Sequence, residues 1–201
     1  HLFSWIKCVA KILISISNVD QHIKLASNIP YKIFYNKEKL SPGQNRNIIM
    51  ENNVNDYVIF QDADDLSHPS RIQLVLEAFS ITQTSLFLVH SYVLDKPVDH
   101  NSSARYMSYK DFKSHNITLD EKNIFIFNKR HVHHCSGPLG INCAIHNGCI
   151  SIKKELFESI RWTNKPSGED VEFIDNCIAA GIKGVAINSP LYYYRNSLSS
   201  Y

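Results

Sequence analysis

The feature that most constrains the fold is a regular alternation of short apolar runs with helix-like segments in the first half of the chain. Four runs rich in β-branched and aromatic residues have the composition of strands, at 11–17, 31–36, 57–60 and 85–94. Between them, Ser41 with Pro42 predicts the start of one helix, and Pro69 predicts the start of another. Strands that alternate with helices in this order predict an α/β fold with a mostly parallel central sheet flanked by helices.

The second half of the chain has a less regular pattern. Residues 95–135 are polar and without a clear period, so no element is expected there. Order returns with four predicted elements: a strand in 143–152, a helix in 153–160, a helix from Gly168, and a strand at 184–189 before a tyrosine-rich tail. Because no internal repeat or obvious linker divides the chain, we expect a single domain over residues 1–201.

The composition excludes several classes of protein. With 44% hydrophobic residues and a formal charge of +2, the 201-residue chain can bury a core and has no strong field for nucleic acid. Its five cysteines form no CxxC pair, which favours reduced thiols and a cytoplasmic location, with or without peripheral attachment to a membrane. No uninterrupted apolar stretch is long enough to cross a membrane, so we expect no transmembrane segment.

An acidic loop follows the wholly apolar run 57–60, which is typical of a strand buried on both faces of a parallel sheet. The loop contains Asp62, Asp64 and Asp65, and ligands of α/β proteins bind at the carboxyl ends of such strands. Two carboxylates one residue apart suit Mn²⁺ or Mg²⁺, which takes one or two protein carboxylates and leaves its other sites to water and phosphate. As the alternative, Asp65 and Ser67 simply cap the next helix, which explains Asp65 well and Asp62 poorly.

A second acidic pair lies in the segment 165–181, which has the pattern of an amphipathic helix. Asp170 falls in its first turn, next to Glu169. An ionised carboxylate in a cleft is a candidate general base for a hydroxyl group. The alternative is a capping-box-like start, in which Ser167 and Asp170 satisfy backbone N–H groups of the helix.

Four segments in a fixed order resemble the large inverting GT-A glycosyltransferase family: SPGQNRN (41–47), YVIFQDADD (57–65), SGEDVEF (167–173) and YYYRNS (192–197). In that family a strand ends in DxD, and a later GED helix supplies the catalytic aspartate. The resemblance covers nearly the whole chain and implies a GT-A fold. It also implies transfer of a sugar, with inversion, from a nucleotide-diphosphate sugar to a hydroxyl acceptor, with Mn²⁺ or Mg²⁺ as cofactor.

The resemblance implies a donor-binding role for residues on both sides of the acidic loop. Asp64 would be the main metal ligand, and Asp62 would contact the metal or the ribose of the donor. Arg46 would lie close to the donor, and Arg195 would lie near the diphosphate or on the tail that closes the site. Residues 1–94 would then form the nucleotide-sugar-binding half of the domain.

The acceptor side is implied for residues 95–201. Asp170 would be the catalytic base, and Glu169 and His146 would line the acceptor pocket. The acceptor would be a glycan, a lipid-linked molecule or a protein. The cluster HVHHC (131–135) fits no standard zinc site and is expected to be a partly exposed loop on this side.

The sequence departs from the family in three respects. The family's first strand, of the type SVIIPTYN, is not found, and Ser17, Asn18 and Asp20 stand where acidic base-binding residues are expected. Asn196 replaces a histidine that completes the metal shell in the family. Because the chain also begins at His1 without an initiator methionine, we expect it to be N-terminally incomplete.

Two alternative functions stay open at this point. In a haloacid-dehalogenase-like phosphatase, Asp62 would be the nucleophile and Asp64 the general acid, although Leu66 occupies a position where that family usually has Thr or Val. The other alternative is a catalytically dead fragment that binds sugar or nucleotide.

Overall fold

The computed structural model describes residues 11–18, 24, 27–95, 106–120, 122–127 and 147–195. The predicted helix at 2–11, the cluster 131–135 and His146 lie outside the described residues, apart from Lys11. The described residues form two β-sheets. The smaller one pairs β1 (Ile12–Ser17) with β2 (Tyr31–Asn36) in parallel, as their predicted strands suggest.

The larger sheet has six strands in the order β3-β7-β5-β8-β4, with β6 also paired to β8. Its strands are β3 (Tyr57–Ile59), β4 (Leu66–Ser67), β5 (Phe87–Leu94), β6 (Ile124–Phe127), β7 (Ile150–Lys153) and β8 (Gly184–Tyr194). The five α-helices that the structure describes are α1 (Pro42–Glu51), α2 (Arg71–Ile81), α3 (Tyr109–Ser114), α4 (Leu156–Ser159) and α5 (Glu169–Ala179). A short 3-10 turn, Asn147–Cys149, leads into β7.

The strand directions correct one part of the fold prediction. Within the larger sheet only β5 and β8 pair in parallel, and the other described pairings are antiparallel. The sheet is therefore mixed, not mostly parallel. Because β7 runs opposite to both β3 and β5, the strands β3, β5 and β8 share one direction and end at the same edge. The predicted place of the acidic loop, at the carboxyl ends of parallel strands, thus survives the correction.

Helices cover both faces of the larger sheet, which confirms the predicted α/β class. On one face, Phe87 of β5 and Ala186 of β8 pack with α1, α4 and α5. On the other face, Leu88 of β5 and Val185 of β8 pack with α2. Neighbouring residues of one strand thus enter opposite cores, because successive side chains of a strand alternate between its faces.

Two local predictions were wrong, and one strand extends further than predicted. The run 57–60 is not buried on both faces, because Tyr57 is exposed and Val58 and Ile59 are only partly buried. The polar stretch 95–135 contains α3 and β6, whose lengths of 6 and 4 residues are too short to give a clear period. The tyrosine-rich segment continues β8 without a break, and Tyr192 and Tyr193 are buried in the core.

No helix in the described part of the chain is long and apolar enough to cross a membrane.

Candidate active site

The acidic loop, residues 61–65 and hereafter the DADD loop, connects the edge strand β3 to the two-residue strand β4. Strand β4 pairs with the last residues of β8, so the loop lies between the carboxyl ends of β3 and β8. Its three aspartates differ in exposure: Asp62 is half-buried, Asp64 is exposed, and Asp65 is buried. The loop therefore presents Asp64 to solvent and turns Asp65 inwards.

Arg46 joins the two acidic motifs that the sequence separates by more than a hundred residues. Its Nη2 donates to Asp62 Oδ1 at 3.0 Å, and its Nη1 donates to Glu169 Oε1 at 2.9 Å. The side chains of Arg46 and Glu169 are only 11% and 2% exposed. Charge-assisted bonds of this kind are stronger than neutral ones, and burial reduces their screening by water. One guanidinium thus fixes the start of α5 beside the DADD loop.

Helix α1 holds Arg46 in this position. It begins with the predicted Ser41 cap and Pro42, and Gln44 completes a capping box by accepting the Ser41 N–H. One residue after Arg46, Asn47 bonds the backbone of Trp162 twice: its Oδ1 accepts the N–H at 3.1 Å and its Nδ2 donates to the carbonyl at 2.9 Å. The irregular segment that leads to α5 is therefore fastened to α1.

Close packing supports the same junction. At Gly43 a Cβ would overlap the Thr163 carbonyl oxygen and would lie 3.1 Å from the Trp162 Cβ. Trp162 in turn stacks on Phe173 of α5 with ring centroids 3.8 Å apart. Packed residues thus connect α1 to α5 without a gap, and this packing supports the bridge from Arg46 to Glu169.

Asp65 does not cap the helix that follows the loop. Its Oδ1 accepts the backbone N–H of Arg195 at 2.8 Å, while the Arg195 Nε donates to the Asp64 carbonyl oxygen. The helix-cap alternative is wrong, because α2 begins at Arg71 after Ser70, whose N–H bonds the imidazole of His68. Asp65 instead ties the end of β8 to the DADD loop, which brings Arg195 beside the loop.

The start of α5 also differs from the capping-box alternative. Its cap residue is Gly168, which has a positive φ of 74° and no side chain, and no side-chain cap bond is present. Asp170 is half-buried, and its Oδ1 accepts the N–H of the next residue, Val171, at 2.8 Å. Glu169, Asp170 and Glu172 place negative charge in the first turn, where the helix dipole favours it. Asp170 therefore takes no part in a reciprocal cap with Ser167.

The other predicted site residues are only partly visible. Ser17 at the end of β1 accepts a bond from the Asn45 side chain at 3.3 Å, and Asn18 has a left-handed φ of 59°. Asp20, Asn196 and His146 lie outside the described residues. Within the part that is described, no group of three or more His, Cys, Asp or Glu side chains is placed to hold a metal ion.

Sequence reasoning missed two buried residues that hold the DADD loop. Arg71 is 1% exposed, and Tyr192, whose hydroxyl accepts the Asp62 N–H at 3.2 Å, is fully buried. Burial, reinforced by the negative charges of Asp62 and Asp65, raises the pKa of Tyr192, so its hydroxyl keeps its proton. The available signal for Arg71 was an arginine on the same helical face as the apolar Val75, four residues later.

Comparisons with known proteins give a family and a fold. The model of the family described as glycosyl transferase family 2 matches residues 15–144, which include the DADD loop and end before α5. A search of curated proteins gave no match.

Solved structures of S. aureus TarS resemble this chain. TarS 1–349 has a TM-score of 0.57 and 14% identity, over 92% of this chain and 60% of that one. TarS 1–349 in complex with UDP-GlcNAc has a TM-score of 0.58 and 14% identity, over 95% of this chain and 61% of that one. At such identity the likeness shows the fold alone, and it confirms the GT-A α/β prediction. The chain spans about 60% of the length of TarS 1–349.

Proposed function

Because this chain belongs to glycosyl transferase family 2, we propose that it transfers a sugar from a nucleotide-diphosphate sugar to a hydroxyl acceptor, with a divalent metal and with inversion. The observation that carries the proposal is the Arg46 bridge. It brings a carboxylate of the DADD loop and one of the GED segment, residues 168–170, to the same guanidinium. A donor site and a catalytic base must be neighbours for direct displacement at the sugar. The haloacid-dehalogenase-like alternative is dropped, because the family and the fold are those of glycosyltransferases.

On the donor side, Asp64 and Asp62 fit a divalent ion of the Mn²⁺ or Mg²⁺ type. Asp64 is exposed, and among the described residues its carboxylate takes no hydrogen bond or ion pair. Two carboxylates suffice for such ions when the substrate supplies phosphate oxygens. Once bound, the ion would neutralise charge on the leaving diphosphate. Asp62 would have to share its carboxylate between that ion and Arg46. The exposed carboxylate of Asp64 is therefore better suited to be the main ligand.

Two arginines of the chain are suited to the phosphates of the donor. Arg46 and Arg195 both contact the DADD loop, through the Asp62 carboxylate and the Asp64 carbonyl oxygen respectively. Guanidinium groups bind phosphate oxygens in bidentate fashion and keep their charge at any physiological pH. Their positive charge offsets the three aspartates in the free protein and would stabilise the diphosphate as negative charge develops on it.

On the acceptor side, Asp170 is the proposed base. It lies one residue after Glu169, whose carboxylate is held by Arg46, and the positive end of the α5 dipole favours its anionic form. An ionised carboxylate removes the proton of the attacking hydroxyl while the nucleotide leaves from the opposite face of the sugar. Glu169 would position this turn. Residues 1–94 would supply most donor contacts and 95–201 most acceptor contacts, with β5, β7 and β8 as their shared sheet.

The proposal is tested by measuring release of nucleoside diphosphate from UDP- and GDP-sugars with Mn²⁺, with mixed glycans as acceptors. We expect turnover that EDTA removes and Mn²⁺ restores. Asp64→Ala and Asp170→Asn should each lower the rate by at least about 10³-fold with the fold retained by circular dichroism. Exposed Asp120, far along the chain in a loop, serves as the matched control through Asp120→Asn.

Full activity in Asp170→Asn would refute the base assignment. Nucleotide binding without turnover by the wild-type chain would support the binding-only alternative. Full turnover in EDTA would refute the metal dependence and leave the family assignment untouched.

A further inference from the structure

The buried Arg71 bonds the chain on both sides of the DADD loop. All five N–H donors of Arg71 are matched by acceptors within the protein. Nε donates to His90 Nε2 at 2.9 Å, Nη1 to the side-chain oxygens of Gln61 and Ser67 at 2.9 Å, and Nη2 to the Phe60 carbonyl oxygen at 2.7 Å and to that of Gly148. The side chain has 1% of its surface exposed.

These acceptors come from parts of the chain that meet only at this point. Phe60 directly precedes the DADD loop, Gln61 begins it, and Ser67 lies just after it in β4. Gly148 belongs to the 3-10 turn before β7. His90 lies in the middle of the central strand β5. A single guanidinium therefore holds both ends of the loop against the sheet and against the turn.

A buried charge is costly, and the surroundings of Arg71 show how the cost is met. None of its five hydrogen bonds goes to a carboxylate, which is unusual because buried charges are normally paired. His90 acts as a neutral acceptor, since its Nδ1 lies 3.0 Å from the Ser91 carbonyl oxygen and donates there. Burial lowers the pKa of Arg71, whereas Cys149, Tyr192 and the Asp62 carboxylate of the loop act through space to raise it.

Tyr192 completes the arrangement. Arg71 lies over its ring at 5.2 Å, and its hydroxyl accepts the Asp62 N–H at 3.2 Å. A Cβ at Gly148 would overlap the same tyrosine, so the turn, the ring and the guanidinium pack without spare room. We call Arg71, His90, Gly148 and Tyr192 the loop anchor.

We propose that Arg71 is a positioning residue for sugar transfer, which fixes the backbone of the DADD loop so that Asp62 and Asp64 are oriented before the donor binds. The expected effect of Arg71 on donor binding rests on the proposed function. Its effect on the order of the DADD loop does not, because that is a property of the free protein. Pre-organised ligands lose little further entropy on binding, so the loss of the anchor should weaken donor binding more than it weakens the overall fold.

The test uses the whole chain with Arg71→Lys, which keeps the charge and loses the fork of donors. Hydrogen–deuterium exchange of the free protein should speed up at least about tenfold in peptides covering 60–67, and should stay within about twofold in peptides from α5. Titration calorimetry with UDP and GDP in Mn²⁺ should show at least about tenfold weaker binding. Arg161→Lys, at a residue more than half exposed, is the matched control.

The two readouts separate the possible failures. If the wild-type chain binds no nucleotide, the proposed function fails, while the exchange result still decides the role of Arg71. Exchange at 60–67 within twofold of wild type in folded Arg71→Lys would overturn the inference. If Arg71→Lys does not fold, Gln61→Ala removes one anchor bond and leaves the charge, and it must show the faster exchange or the inference is wrong.

Discussion

The DADD loop and the GED segment are both acidic, yet the protein holds them in different ways. The loop is fastened from several elements: Arg46 on α1, Arg71 on α2, and Tyr192 with Arg195 at the end of β8. In the GED segment, Glu169 accepts a bond from Arg46, Asp170 accepts the N–H of its neighbour Val171, and the Cβ position of Gly168 has no atom within 4 Å. We infer that the DADD loop is held from three elements of the fold and that Arg46 joins it to the GED segment.

The largest effect is expected where the two regions are joined. Arg46→Met removes the cation that faces the buried carboxylate of Glu169, and breaking a buried pair in this way costs about 3–5 kcal/mol. The free energy of unfolding from urea titration should fall accordingly. Glu169→Gln in the same chain should recover at least half of the loss, because no charge is then left buried.

The control for this prediction is another arginine with a glutamate partner. Arg161 and Glu51 lie 3.5 Å apart with side chains 52% and 58% exposed, so Arg161→Met should cost less than about 1 kcal/mol. Equal losses in Arg46→Met and Arg161→Met would show that the bridge does not join the two regions energetically.

A smaller effect is expected inside the loop anchor. Gly148→Ala forces a methyl group into the Tyr192 ring, and overpacking of this kind costs about 1–3 kcal/mol. Because Tyr192 accepts the Asp62 N–H, nucleotide affinity should fall as well. Gly184→Ala is the matched control, since its methyl group would overlap Phe87 in the core away from the loop. Gly184→Ala should lose a similar amount of stability and keep its nucleotide affinity. An equal loss of affinity in both variants would contradict the role of the loop anchor in nucleotide binding.

The anchor should also make stability depend on pH. Burial, and then the charge of Arg71, lowers the pKa of His90 well below its ordinary value of 6.5. The unfolded chain therefore takes up the proton first, and stability is lost as pH falls below about 6.5, by about 1.4 kcal/mol per pH unit for one proton. His90→Gln should reduce the slope between pH 6.5 and 5 by about one proton.

His68, whose pKa is also lowered mainly by burial, gives a comparison outside the anchor. His68→Gln should reduce the same slope without changing exchange in the DADD loop. An unchanged slope in His90→Gln would mean that this histidine is not held neutral by the fold.

The smallest effect on stability is expected at the two glycines on either side of α5. Gly168 and Gly181 precede and follow α5, both have φ near 75°, and neither has an atom within 4 Å of an added Cβ. Alanine at either position should therefore cost about 1 kcal/mol, for the left-handed backbone alone. Only Gly168→Ala should change the rate of transfer, because it re-aims Asp170. Equal rates in the two variants would separate the Gly168 turn from catalysis.

How much could be predicted from the sequence depends on whether a contact is local or joins distant parts of the chain. Local signals were sufficient where the cause is local: the Ser41 cap of α1 and the apolar face of α5 follow from side chains a few residues apart. The predicted ends of strands indicated the place of the DADD loop, because the carboxyl ends of β3, β5 and β8 meet at one edge.

What could not be predicted depends on partners far away in the chain. The bridge from Arg46 to Glu169 spans 123 residues, and the role of Asp65 depends on the backbone of Arg195, 130 residues later. Such contacts are set by packing of whole elements and leave no local pattern. Arg71 was overlooked for the same reason, since a charged residue is expected at the surface unless its partners are known.

The central claim is that Asp64 serves the donor and Asp170 the acceptor. Its most direct test is titration calorimetry of UDP and GDP with Mn²⁺ on wild type, Asp64→Asn and Asp170→Asn. The account predicts at least about tenfold weaker binding in Asp64→Asn and wild-type affinity in Asp170→Asn, although the second variant has lost transfer. Wild-type affinity in Asp64→Asn, or an equal loss in Asp170→Asn, would contradict it.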